Sequence, residues 1–164
     1  MFLSAEQSHA VVAIEQLIAA WATELDRNNG LDVAPLLAED CAYSARGTVR
    51  HGRDAAAQFY RDRLAELERT PEGPPLLRHV ITNLLVEFAS DERASVGFSL
   101  LYFMAPGSPP IMDFKGITAV ADCHMDCSRD GDGHWRIASF DSVQNFVRAP
   151  TSCEASPPRR SGSC

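Results

Sequence analysis

No stretch of the 164-residue chain carries the roughly 20 consecutive apolar residues that a bilayer crossing requires. The longest apolar runs are strand-sized and broken by charges. Positive charge is also scarce: fifteen basic against twenty-two acidic residues leave a net charge of -7. Such a surface repels phosphate backbones and offers no basic stripe for counterion release, which argues against nucleic acid as a partner. The five cysteines (Cys41, Cys123, Cys127, Cys153 and Cys164) are an odd number without a dense framework. That pattern fits reduced thiols and requires no disulfides. Met1 to Gln7 lacks the basic start, apolar core and cleavage site of a secretory leader. The expectation is a soluble, cytoplasmic protein. There is no phosphate-cradling glycine loop, no G-x-S-x-G nucleophile motif and no H-E-x-x-H metal motif, and no cofactor is expected.

The chain does have enough apolar residues, 45%, to build one substantial core. Ser4 followed by Gln7 is a capping-box pattern, and Val11, Ile14, Ile18, Trp21 and Leu25 then repeat at helical spacing to about Asn28. Asn29-Gly30 supplies a stop. Asp32 is positioned to cap a short second helix with Pro35 in its first turn, and Cys41 to Ala45 reads as a short strand. A third, amphipathic helix is predicted over Asp54 to Arg69, ended by the Pro/Gly-rich segment from Thr70 to Pro75. Four strands follow: Leu77 to Phe88, Ala94 to Met104, Ile111 to Cys127 and His134 to Val147. Turn-rich connections between consecutive strands imply an antiparallel sheet. The predicted class is α+β, with three helices from the N-terminal half on one face of a bent sheet and a single domain over residues 1–149. From Pro150 to Cys164 almost nothing apolar remains to bury, and the expectation there is a flexible tail.

Two residues stand out chemically. Asp26 lies beside the apolar stripe near the carboxyl end of helix one, where helix carbonyls and partial burial both disfavour negative charge. It reads either as a functional carboxylate or as a solvated one in a fraying last turn. His79 opens a strongly apolar strand, and alternation puts His79, Ile81, Asn83 and Leu85 on one face. An imidazole held there by a carboxylate suits a general base, while the bland alternative is a core histidine bonded to a backbone carbonyl. Cys123-His124-Met125-Asp126-Cys127 is not a metal cluster, because two cysteines four residues apart on a strand are separated by about 13 Å. Asp122, His124 and Asp126 share the opposite face, which reads as solvated.

The ordered set Trp21–Asp26, Leu37–Cys41, His51–Asp54, Arg78–Asn83 and His134–Ile137 resembles the SnoaL-like branch of the nuclear transport factor two-like superfamily. That branch includes polyketide cyclases, scytalone dehydratase and bile-acid dehydratases. The resemblance spans roughly residues 8 to 147 and implies a cone-shaped α+β barrel around a pocket. It also implies that His79 points into the pocket near Asp26, and that Tyr43 falls where a tyrosine polarises a substrate carbonyl; a strand tyrosine that simply packs is the alternative. Trp21 stands where bile-acid dehydratases have tyrosine. The strand Phe98–Phe103 lacks the further histidine or acid of the dehydratases, which leaves Tyr102 as the candidate substitute. Trp21, Asn83, Phe98 and Tyr102 are the candidate substrate-binding residues, with core packing the alternative for the large aromatics.

The function this implies is a cofactor-independent dehydratase, cyclase or isomerase for a small apolar carbonyl compound of polyketide-like or steroid-like type. Its catalytic residues would be Asp26, His79 and Tyr43. The alternative is a non-catalytic ligand-binding protein or an assembly subunit similar to the ring-hydroxylating dioxygenase β subunit, with the cavity filled by Trp21, Phe98 and Phe103. In either case the resemblance implies a homo-oligomer, dimer or trimer, formed through the exposed sheet face.

Overall fold

The computed structural model describes residues 2–45 and 47–149. Helix α1 runs over Ala5–Asn28 and begins with the expected capping box: Gln7 N–H donates to Ser4 Oγ at 3.1 Å, and Ser4 N–H donates to Gln7 Oε1 at 3.0 Å. Ile14, Leu17, Ile18, Trp21 and Leu25 form its buried stripe, and Asn29, with φ 54°, ends it in the left-handed region. The predicted second helix is only a 3-10 turn, Ala34–Leu36. Asp32 does not cap it. The Asp32 carboxylate accepts from Asn28 Nδ2 at 2.9 Å, its own N–H donates to Glu24 Oε1 at 2.8 Å, and strand pairing begins at Leu37. Two α-helices therefore replace the expected three, the second being α2, Arg53–Leu67.

Six strands follow the order β2-β1-β6-β5-β4-β3, with β1 Leu37–Ala45, β2 Thr48–His51, β3 Leu76–Ser90, β4 Arg93–Ala105, β5 Ala119–Arg129 and β6 Trp135–Val147. All neighbours are antiparallel except β1 and β6. The curved sheet is open, with β2 and β3 at its edges, so the cone is not a closed barrel. Strand β2 was not anticipated: its four residues fold back on β1 from Gly47. The predicted strand from Ile111 starts only at Ala119, because the segment before it contains Pro109-Pro110 and Gly116 with φ 86°, neither of which suits a continuous ladder.

Both helices lie on the same face. Helix α1 packs on β3 and β6, and α2 packs on β1 and β2. Between them Ile14, Ile18, Trp21, Leu37, Tyr43, Met125 and Ile137 are almost fully buried. Among the described residues no helix is long and apolar enough to cross a membrane. The expected tail from residue 150 lies outside the described residues.

Gly30 permits the close approach of α1's end to α2. Its φ is +81°, and a Cβ there would fall 2.5 Å from Cγ of Tyr60. Replacing it with alanine combines backbone strain with a clash against a buried ring, an expected loss of about 3 kcal/mol. Gly47→Ala, at φ +73° with open space around it, serves as the control. Urea unfolding should show a clearly lower midpoint for Gly30→Ala than for Gly47→Ala.

Candidate active site

The last turn of α1 and the start of β3 meet through one carboxylate. Asp26 Oδ1 lies 2.6 Å from His79 Nδ1, and both Asp26 oxygens accept from the His79 backbone N–H, at 3.1 and 3.0 Å. The two side chains are each only 11% exposed. This bidentate grip fixes the imidazole's position and selects the tautomer with the proton on Nδ1, which leaves Nε2 as a lone-pair donor. Nε2 has no hydrogen-bond partner among the described residues. The Trp21 and Tyr102 rings flank the imidazole at centroid distances of 5.9 and 5.0 Å.

His79 borders a cavity of about 340 Å³ between the helices and the sheet. Its walls are mostly apolar, with Leu25, Leu100, Ala121 and Phe140 among them, and it includes Trp21, Tyr60, Arg63 and Tyr102. A second polar line reaches it. Trp21 Nε1 donates to Tyr43 Oη at 2.8 Å, and Tyr43 Oη lies 2.7 Å from Tyr60 Oη. The indole can only donate, so the Tyr43 oxygen must accept. If Tyr60 also donated to it, the Tyr43 proton would be stranded in the core, an unfavourable arrangement. The satisfied order is therefore Trp21 to Tyr43 to Tyr60, which leaves the Tyr60 proton for the cavity. Burial pushes the Tyr60 phenol up to about 12, against the pull of Arg63 and Arg50, and pushes Tyr43 well above the ordinary phenol range. Both stay protonated at neutral pH.

The seven sequence-predicted residues separate into three groups. Trp21, His79 and Tyr102 line the cavity, and Asp26 grips His79 from behind. Tyr43 does not line it: the parallel pairing of β1 with β6 places Tyr43 beside Phe140, fully buried one hydroxyl behind Tyr60. Phe98 sits behind Trp21, ring centroids 6.4 Å apart, as core. Asn83 is outside. Its φ of 55° and a register shift between Thr82 and Leu85 interrupt the alternation, so Asn83 and Leu85 are exposed and do not follow His79 inward. Phe103 packs against Phe114, ring centroids 5.8 Å apart, and is not part of the cavity wall. Tyr60 and Arg63 were missed, because an aromatic and an arginine among the alanines and charges of α2 look like an ordinary amphipathic surface.

Elsewhere on β5, Cys123 and Cys127 face inward, and burial with nearby aspartates pushes both thiols up to about 12. Asp122, His124 and Asp126 face outward and are exposed. Among the described residues no three histidine, cysteine or acidic side chains cluster to hold a metal ion.

Solved structures of similar shape include a putative scytalone dehydratase from Novosphingobium aromaticivorans, 19% identical, covering 98% of this chain and 100% of that one with a TM-score of 0.69. A hexachlorocyclohexane dehydrochlorinase, LinA-type3 from Novosphingobium barchaimii, is 17% identical over 93% of this chain and 98% of that one, TM-score 0.71. ActVI-ORFA from Streptomyces coelicolor is 14% identical over 87% and 99%, TM-score 0.71. At these identities the likeness is one of fold. No curated protein sequence matches the chain at a significant level. The SnoaL-like domain model matches residues 6–141, and with the cavity and topology above, the chain belongs to the SnoaL-like family.

Proposed function

We propose that the chain is a cofactor-independent general acid/base enzyme, a dehydratase, cyclase or isomerase, acting on a small, mostly apolar carbonyl compound. The observation that carries this reading is the 2.6 Å pairing of Asp26 with His79 at the wall of a ligand-sized hollow. Nε2 of His79 takes a proton from the carbon beside the carbonyl, and the electron pair moves onto the carbonyl oxygen. Asp26 orients the ring and stabilises the imidazolium that forms. Tyr60 donates to the enolate oxygen, and Tyr43 acts through Tyr60 by supplying it with a hydrogen bond. From the enolate, loss of a β-hydroxyl is dehydration, reprotonation elsewhere is isomerisation, and attack on a second carbonyl is ring closure. The dehydratase and dehydrochlorinase names of two structural neighbours, both eliminations, accord with this chemistry. The assembly-subunit alternative needs a hollow filled by Trp21, Phe98 and Phe103, and the open volume beside Trp21 favours catalysis.

The partner surface in this reading is a second copy of the chain. Across the outer sheet face, Val80 pairs with Leu101, Leu101 with Val120 and Val120 with Phe146, an apolar stripe spanning four strands. Val80 and Phe146 are 47% and 71% exposed. Sedimentation equilibrium should find an oligomer for the wild type and a folded monomer for Phe146→Asp; a wild-type monomer would rule the surface out.

Exchange of the protons beside the carbonyl of chroman-4-one in D₂O, followed by NMR, isolates the first chemical step. Wild-type protein should accelerate it, and His79→Ala and Asp26→Asn should each lose about a hundredfold or more. Full exchange rates in both variants would disprove the dyad. Tyr60→Phe should lower the rate by about a hundredfold and Tyr43→Phe by less, because the cavity-facing donor survives in the latter. The reverse ranking would return the direct role to Tyr43.

A further inference from the structure

Among the described residues that line the cavity there is one guanidinium, Arg63, and no carboxylate. Arg63 is only partly exposed, and it has no ion pair or hydrogen bond among the described residues. Its neighbours on α2 do not neutralise it. Asp62 instead accepts from Gln58 Nε2 at 2.7 Å, and Gln58 accepts in turn from Arg61 Nε at 3.1 Å. Arg50 offers the contrast: it donates to the carbonyls of Ala45 and Thr48, at 3.0 and 2.8 Å, and its guanidinium lies 4.0 Å over the Phe59 ring. Arg50 is held by the fold itself. Among the described residues no anion accompanies the positive charge that Arg63 brings to the wall of an apolar hollow, and the part of it turned from solvent is best satisfied by an anion bound there.

Its place in the fold separates it from the dyad. His79 is on the edge strand β3, under the end of α1. Arg63 is on α2, which packs toward the opposite edge of the sheet, on β1 and β2. The other polar lining residues away from β3 and β4 and outside α2, Ser44 of β1 and Ser142 and Gln144 of β6, are uncharged. Between the two sides lie Leu100, Ala121 and Phe140. The cavity thus has a proton-transfer side, an apolar middle and a cationic side.

We propose that Arg63 binds a carboxylate on the substrate, which makes the substrate class a keto acid: an apolar body with a carbonyl at His79 and a carboxylate at the α2 side. Among the described residues that line the cavity, one guanidinium with no second Arg or Lys beside it matches a monoanion in a bidentate pair; a phosphate dianion would be left half neutralised. This inference rests on the proposed carbonyl chemistry for the identity of the other end, and it adds the charge that selects the ligand.

The test is calorimetric binding of chroman-4-one-2-carboxylate and its methyl ester, two probes that differ in charge at one end. The wild type should bind the acid at least tenfold more tightly than the ester, with the acid's advantage shrinking as salt is added. Arg63→Gln should abolish that advantage by weakening the acid far more than the ester, and Arg63→Lys should restore part of it. Equal affinities in the wild type, failure of the acid to bind, or an acid preference that survives Arg63→Gln would overturn the assignment. Because the readout is binding, it is separable from the dyad. Acid preference without proton exchange would count against the proton-transfer reading alone.

Discussion

The structure of the site depends on the Asp26 carboxylate holding both the backbone N–H and the Nδ1 of His79. A single carboxylate spends its acceptor capacity on one residue, through a main-chain donor and a ring donor together. The end of α1 is thereby tied to the first residues of β3, an edge strand that no other strand flanks on that side. Such a charge-assisted contact at 11% exposure is screened little by solvent, and losing one partner would leave the other poorly solvated. The same contact that closes the wall of the cavity also sets the orientation of the His79 imidazole.

Helix α1 makes a second polar attachment one turn and a half earlier, at Trp21. From there the indole, Tyr43 and Tyr60 connect α1, β1 and α2 through two hydrogen bonds. Every donor in that line has a place to go only if the last proton faces the cavity. Two polar lines therefore start on one helix and end at the same apolar hollow, one in a lone pair and the other in a proton. A base and a donor presented to one ligand are what abstraction of a proton beside a carbonyl requires. The apolar walls, Leu100, Ala121 and Phe140, lower the local polarity, in which hydrogen bonds to a ligand are stronger than in bulk solvent.

Much of this was legible from the residues. The stripe Ile14, Ile18, Trp21 and Leu25 and the capping box fix α1 by local rules, and the alternating runs of β4 and β6 fix the strands. Asp26 and His79 became a pair through their order in a family pattern, since no local rule joins residues 53 positions apart. What could not be read depends on pairings made at a distance. The parallel contact of β1 with β6 decides that Tyr43 is buried behind Tyr60. The left-handed Asn83 breaks the period of two within β3, and nothing in its flanks announces the shift. Asp32, a sound helix cap by type, is drawn instead to Asn28 and Glu24, so the expected second helix shrinks to a turn. Tyr60 and Arg63 acquire meaning only when α2 is laid over the cavity, where the same side chains that look like helix surface become its donor and its cation.

The central claim is that Asp26 holds His79 with its Nε2 lone pair presented to the cavity. The most direct measurement is the pair of ¹⁵N chemical shifts of the neutral His79 imidazole in selectively labelled protein, with Asp26→Asn for assignment of the effect. The account predicts a protonated Nδ1 and an unprotonated Nε2 in the wild type, and loss of that bias in the variant. A wild-type imidazole carrying its proton on Nε2 would contradict it.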